Sequence, residues 1–197
     1  MSASERKITP ADIVPYDVYA RERAERKRAL VAVKKPRRID VGPFATFYFE
    51  NYDTMLGQVQ EMLYIEKGGE EQIAGELEAY NPLIPQGAEL IATMMLEIED
   101  ANRRNAVLMR LGHIEEKVYM DIGGSRINAT PTDYEDRTTE EGKTSSVHWL
   151  RFSFSPEQIK AFREGTEQVV LGIAHDNYGH MAVVPLQSRQ ALAKDFE

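Results

Sequence analysis

Hydrophobic and polar positions alternate with two different periods along this chain, and the changes of period mark its elements. From Ala88 to Glu99 the period is two: Leu90, Ala92, Met94, Leu96 and Ile98 face one way, and Glu89, Thr93, Glu97 and Glu99 face the other. That pattern predicts a strand with one buried and one wet face. From Asp53 to Glu66 the period is helical, with Met55, Leu56, Val59, Met62 and Leu63 on one stripe, and Gly68-Gly69 stops it. A second helix spans Glu70 to Tyr80 and ends at Asn81-Pro82. Thr9-Pro10-Ala11-Asp12 has the composition of a helix start, and a helical pattern runs from about Tyr16 to Val33, closed by Lys34-Lys35-Pro36. Ile39 to Tyr52 is aromatic and β-branched, with a turn at Gly42-Pro43.

The second half alternates between the two periods. Asp100 caps a helix running to Leu111, with Gly112 as its stop. Asp121-Ile122-Gly123-Gly124-Ser125-Arg126 reads as a tight hairpin, because two glycines supply the positive φ of a primed turn. Residues 131–146 form a long polar loop whose large apolar residue is Tyr134, and loops of that length are usually functional. Strand 147–154 follows. Ser155-Pro156-Glu157-Gln158 is a capping box, and it opens a helix that ends at Gly165. Then come strand 168–174, a loop from His175 to His180, strand 181–185, and a short helix from about Ser188. The count is roughly seven strands and five or six helices joined by short turns. This predicts an α+β fold with a mainly antiparallel sheet packed with helices: a basic N-terminal helical arm, residues 1–38, and a single α+β domain, residues 39–197.

Charge adds an asymmetry. The arm carries a net +6 and the remaining residues a net −14, within a total of −8. A basic arm on an acidic body points to self-docking, to exchange in a homodimer, or to an anionic partner. Arg21, Arg26 and Lys27 on the arm, and Lys143 beside the hydroxyl-rich Thr144-Ser145-Ser146, are the candidate anion-binding residues. Nucleic acid is disfavoured as the partner, since the body is acidic and no nucleic-acid module signature is present. Cysteine is absent, which excludes thiolate metal sites and cysteine nucleophiles. No apolar run approaches the roughly 20 residues of a membrane span. The N-terminus lacks an apolar signal core, so a cytoplasmic location is expected.

Chemistry-bearing residues are few. Three of the four histidines, His148, His175 and His180, lie at the ends of predicted strands. Strand parity puts His148 with Leu150, Phe152 and Phe154, and His175 with Val169, Leu171 and Ile173. With Glu50 at a strand end, these histidines form the candidate ligand set for a transition metal. Hydrogen-bonded structural histidines are the competing reading, and a histidine–carboxylate pair in an enzyme is the third. The strong metal spacings, such as His-Glu-x-x-His, are absent. Gly142-Lys143-Thr144 fails as a phosphate loop, because Arg137 stands where its first glycine belongs. Convergence of the histidines depends on strands 147–154 and 168–174. As antiparallel neighbours they bring His148 toward His175; a parallel crossover puts the two at opposite ends.

Several runs together carry a family resemblance: Phe49-Glu50-Asn51-Tyr52-Asp53-Thr54-Met55 with Gln58 to Leu63, Asn81-Pro82-Leu83-Ile84-Pro85, Lys143 to His148, and His175-Asp176-Asn177-Tyr178. They resemble a bacterial family catalogued as domain of unknown function 3501, over nearly the whole chain. The resemblance implies neither an activity nor catalytic residues. It does imply proximity to rubrerythrin-like and iron–sulfur oxidoreductase proteins, beside which family members are encoded. The expectation is an accessory protein of a redox, iron or peroxide-related system that binds a partner protein and a metal.

Overall fold

The computed structural model describes residues 4–132 and 136–196. Tyr134, the apolar residue of the long loop, lies outside them. Within the described residues the chain forms nine strands and six α-helices in three layers. The strands make two antiparallel sheets. The larger runs β1 (Arg38–Val41), β2 (Ala45–Phe49), β3 (Glu89–Leu96), β7 (Val147–Ser153) and β6 (Thr130–Pro131). The smaller runs β5 (Ser125–Asn128), β4 (Val118–Ile122), β8 (Val169–His175) and β9 (Tyr178–Val183). Their inner faces share one core, in which Phe47, Leu90, Met94, Met120, Phe152 and Leu171 are fully buried. The outer face of the larger sheet is covered by α2 (Tyr52–Glu66) and α3 (Glu70–Tyr80), through a second cluster built on Met55, Val59, Ile84 and Ile91, and α1 (Tyr16–Lys34) packs on α2. An α+β fold of antiparallel sheets is therefore what the pattern of periods predicted.

Local chemistry explains most boundaries. Asn51 caps α2 by accepting from Thr54 N, and Ser155 caps α5 (Pro156–Glu164) by accepting from Gln158 N. Asp100 caps α4 (Ala101–Leu108) by accepting from Arg103 N. Gly123 and Gly124, with φ of 56° and 93°, close the β4–β5 hairpin. Asp176 and Asn177 form a two-residue turn between His175 and Tyr178, so the expected loop from His175 to His180 is a tight hairpin whose strand β9 already includes His180. Thr9-Pro10-Ala11-Asp12 makes a capped 3-10 turn, and α1 begins only after Pro15. A last helix, α6 (Leu186–Leu192), leads to a buried ion pair between Arg37 and Asp195.

Two expectations change. The expected wet face of β3 is buried: the strand is covered on both sides, because α2 and α3 lie over its second face. Strands β7 and β8 are neither antiparallel neighbours nor a crossover pair, since they belong to different sheets. Helix α5, capped and amphipathic, carries the chain from one sheet to the other.

The basic arm docks on the chain's own body. Glu61 of α2 accepts from Arg23 at two points, 2.8 Å each, from the Tyr19 hydroxyl at 2.6 Å and from Lys27 at 3.3 Å. Leu30 sits where Gly57 leaves space for it. These bonds, Arg23 foremost, hold the Glu61 carboxyl down at about 2, against burial that pushes it up. The docking is thus complete above the ordinary glutamate value of 4.5 and is lost as pH falls through about 2. Amide exchange in α1 should accelerate over that acid window ahead of the β-sheet core. A Glu61→Gln variant should already exchange fast at neutral pH. Unchanged α1 protection down to pH of about 2 would contradict this assignment.

Candidate metal centre

The segment after α4 is where the sequence-predicted chemistry and the observed geometry meet. Helix α4 ends at Leu108, and the chain turns through Leu111-Gly112-His113 into a 3-10 turn, Ile114–Lys117, that leads into β4. Leu111 and Ile114 are fully buried between the two sheets and pin the turn to the core. Burying two aliphatic side chains there contributes roughly 3–6 kcal/mol. Their positions fix those of His113 and Glu115. His113 adopts the left-handed conformation, φ 58°, which few non-glycine residues do. Glu115 points inward and is 5% exposed.

Loop residues 136–146 fold back onto this turn. Thr138 ties the two segments together. Its hydroxyl accepts from His113 N at 2.9 Å, and its own N–H donates to Asp136 Oδ1 at 2.9 Å. Gly112 and Gly142 pass so close that a Cβ on Gly112 would stand 2.9 Å from Gly142 O. Thr144 N donates to Leu108 O, and Ser145 N to Arg137 O. The Arg137 guanidinium lies 4.5 Å above the Trp149 ring. The result is a cluster of His113, Glu115 and Asp136 whose donor atoms all lie within 4.8 Å of one another. Glu115 is buried, and His113 and Asp136 are exposed.

His148 supports this cluster from beneath. It is 1% exposed on the inner face of the larger sheet. Its Nε2 lies 2.9 Å from Ser145 O, a group that only accepts, so Nε2 carries the proton. Nδ1 then faces Glu115 Oε2 at 3.5 Å. Among the described residues Glu115 Oε2 accepts no hydrogen bond. A buried carboxylate oxygen without a donor is costly unless a cation stands by it.

The other predicted ligands lie elsewhere. Glu50 is buried on the opposite face of the larger sheet, where it accepts from Thr54 at 2.6 Å and from Thr93 at 2.7 Å. Thr93 pairs with Trp149 and Met94 with His148, and adjacent register positions point to opposite faces. Glu50 and His148 therefore cannot meet. His175 uses both ring nitrogens: Nε2 donates to Gly112 O at 3.1 Å, and Nδ1 accepts from Asn177 N at 3.1 Å. It clamps the β8–β9 turn to the turn that carries His113. His180 is exposed and stacks edgewise on Tyr178, against Gly42 of the β1–β2 turn. The four residues thus have separate environments, and only His148 reaches the cluster.

The candidate anion-binding residues are also dispersed. Arg26 pairs with Glu22 and Lys27 with Glu61, while Arg21 is exposed on α1. Lys143 belongs to the 136–146 loop, where its backbone N–H and C=O are bonded to Thr139.

Sequence reasoning missed His113, Glu115 and Asp136. A signal was present in Gly112-His113-Ile114-Glu115-Glu116, a histidine and two acids around one apolar residue. The length of the 131–146 loop was a second. Nothing in the sequence joins the two signals, because the join is a tertiary contact made through Thr138.

No curated protein matches the chain. A crystal structure of a protein of unknown function from Burkholderia pseudomallei K96243 is 30% identical, with a TM-score of 0.87, and the match covers 97% of this chain and 100% of that one. A family model described as protein of unknown function (DUF3501) matches residues 7–196. With nearly its whole length matched and its fold shared, this chain belongs to the DUF3501 family.

Proposed function

We propose that this protein binds a divalent transition metal through His113, Glu115 and Asp136, and that it acts by this means as an accessory protein of a redox or iron-handling system. One observation carries the reading: three donor atoms gathered within 4.8 Å, one of them on a buried carboxylate. First-row metals hold nitrogen and oxygen donors at about 2.0–2.2 Å, so donors sharing one ion stand roughly 3–4 Å apart. A small closure of the exposed His113 and Asp136 side chains onto Glu115 is enough. One imidazole and two carboxylates form a hard, oxygen-rich set, which suits Mn2+ or Fe2+ better than it suits copper.

The surroundings are those of a prepared site. Thr138 holds Asp136 Oδ1 with its N–H, leaving Oδ2 for the ion. His148 donates from Nε2 to a backbone carbonyl and faces the Glu115 carboxylate with Nδ1 at 3.5 Å, which places a buried polar side chain behind the cluster. The partner side of the reading rests on the family resemblance alone: a rubrerythrin-like or iron–sulfur oxidoreductase protein would exchange metal or electrons with this one. A cytoplasmic location and a homodimer belong to the same proposal.

Calorimetric titration of tag-free protein with Mn2+, and with Fe2+ under anaerobic conditions, should give one equivalent per chain. Glu115→Gln, which keeps the shape but loses the charge, should weaken binding by at least about 100-fold, and Thr138→Val by about 10-fold. His175→Ala and His180→Ala should leave the affinity unchanged. Uptake below about 0.1 equivalent for both metals would overturn the proposal, as would full binding by Glu115→Gln.

A further inference from the structure

Among the described residues the two sheets end in four edge strands, β1, β6, β5 and β9. An edge strand presents a row of N–H and C=O groups that serves as a template for another strand, and proteins usually blunt it. Three of these edges are blunted. β1 exposes the oppositely charged, ion-paired Arg38 and Asp40. β6 is two residues long and includes Pro131, which has no N–H to donate. β5 is four residues long and exposes Arg126 and Asn128. β9 carries none of these devices. Its residues, Tyr178-Gly179-His180-Met181-Ala182-Val183, include no proline and no Lys, Arg, Asp or Glu. Two of its apolar side chains stand in solvent, Met181 at 68% exposure and Val183 at 54%.

We infer that β9 is an interface between two copies of this chain, which pair antiparallel through this edge about a two-fold axis at Met181. The inference gives the homodimer of the proposal above its surface, and it is independent of the metal.

The register of β9 supports it. Val184 N donates to Val169 O, and bonded pairs alternate from there, so Tyr178, His180 and Ala182 turn their backbone groups toward β8. Gly179, Met181 and Val183 therefore turn theirs outward. A second β9 centred on Met181 sets Met181 opposite Met181, and Gly179 opposite Val183 on each side of the axis. Each outward group then meets an outward group of the other copy, in about six backbone hydrogen bonds. This is the self-complementary contact that a two-fold axis requires. Met181 and Val183 share the outer face of the smaller sheet with Gly172 and Val170, their partners on β8. Across the axis the two Met181 side chains lie side by side, and a flexible thioether packs well against its own kind.

Charge and rigidity point the same way. The chain carries a net charge of −8, so two copies repel over most of their surfaces. A strand without charged residues is where their approach is opposed least. A charged peptide finds no counter-charge on β9, whereas a second neutral, apolar β9 matches it. The strand is also held in place beforehand. The Tyr178 hydroxyl accepts from Phe44 N and Ala45 N and donates to Val41 O, so pairing has little chain to order.

Sedimentation of the full chain at roughly 50 μM should give twice the 22.4 kDa mass of one chain. Met181→Lys sets two like charges across the axis and should raise the dimer dissociation constant at least about 100-fold. Its circular dichroism should be that of the wild type, because the side chain is exposed. The chain has no cysteine, so a single introduced one gives an unambiguous signal. Met181→Cys places two thiols on residues whose Cα atoms are about 5.5 Å apart, within reach of a disulfide, and should cross-link on mild oxidation. Val31→Cys, equally exposed but on α1, should stay uncross-linked. A monomeric wild type would leave the edge to a strand from another protein, overturning both the homodimer and this inference. A dimer that survives Met181→Lys, or that cross-links through Val31→Cys and not through Met181→Cys, would use another surface and overturn this inference alone.

Discussion

The packing of two antiparallel sheets over one core is the constraint on which the rest depends. Each sheet offers an apolar inner face, and neither can leave it in water. The chain crosses between the sheets at a few places, one of them the turn after α4. Leu111 and Ile114 must be buried to fill the core at the mouth of the sandwich. Their neighbours in sequence then have little choice of place. Glu115 is carried inside with Ile114, and a carboxylate in that position needs a counter-charge. His148, on the inner face of β7, faces it with Nδ1 at 3.5 Å. The candidate site thus follows from how the core is closed.

The same constraint assigns the remaining histidines to structural work. Tyr178 accepts from Phe44 N and Ala45 N and donates to Val41 O, locking the β1–β2 turn of one sheet to β9 of the other. His180 packs over that junction, and His175 secures the opposite end of the β8–β9 hairpin to Gly112. On the far face of the larger sheet, Glu50 is satisfied by two threonine hydroxyls under α2. The basic arm closes on Glu61 of the chain's own α2. Of the three roles open to a basic arm on an acidic body, self-docking is the one this arrangement displays.

Much of the fold was legible because its signals are local. The hairpin glycines, the capping box at Ser155, and the stripe on α2 each depend on residues within a few positions of one another. Burial of both faces of β3 was not legible, since Glu89 and Thr93 look wet in sequence but are covered by a distant layer, with Glu89 paired to Arg151. The parity argument put His148 correctly on an inward face, yet parity says nothing about which sheet a strand joins. That is why His148 and His175 could not be related from sequence, and why Glu50 seemed available to both. Glu115, which faces His148, lies more than thirty residues away in a turn too short for any period to mark, held to the 136–146 loop by Thr138 among other contacts.

The most direct test of the account is anomalous diffraction from crystals of the protein grown with Mn2+. The account predicts one strong peak at the mouth of the sandwich, about 2.0–2.3 Å from a nitrogen of His113 and from oxygens of Glu115 and Asp136, with Thr138 still bridging the two segments. A peak bound by other residues, or ordered crystals with no peak at these three, would contradict it.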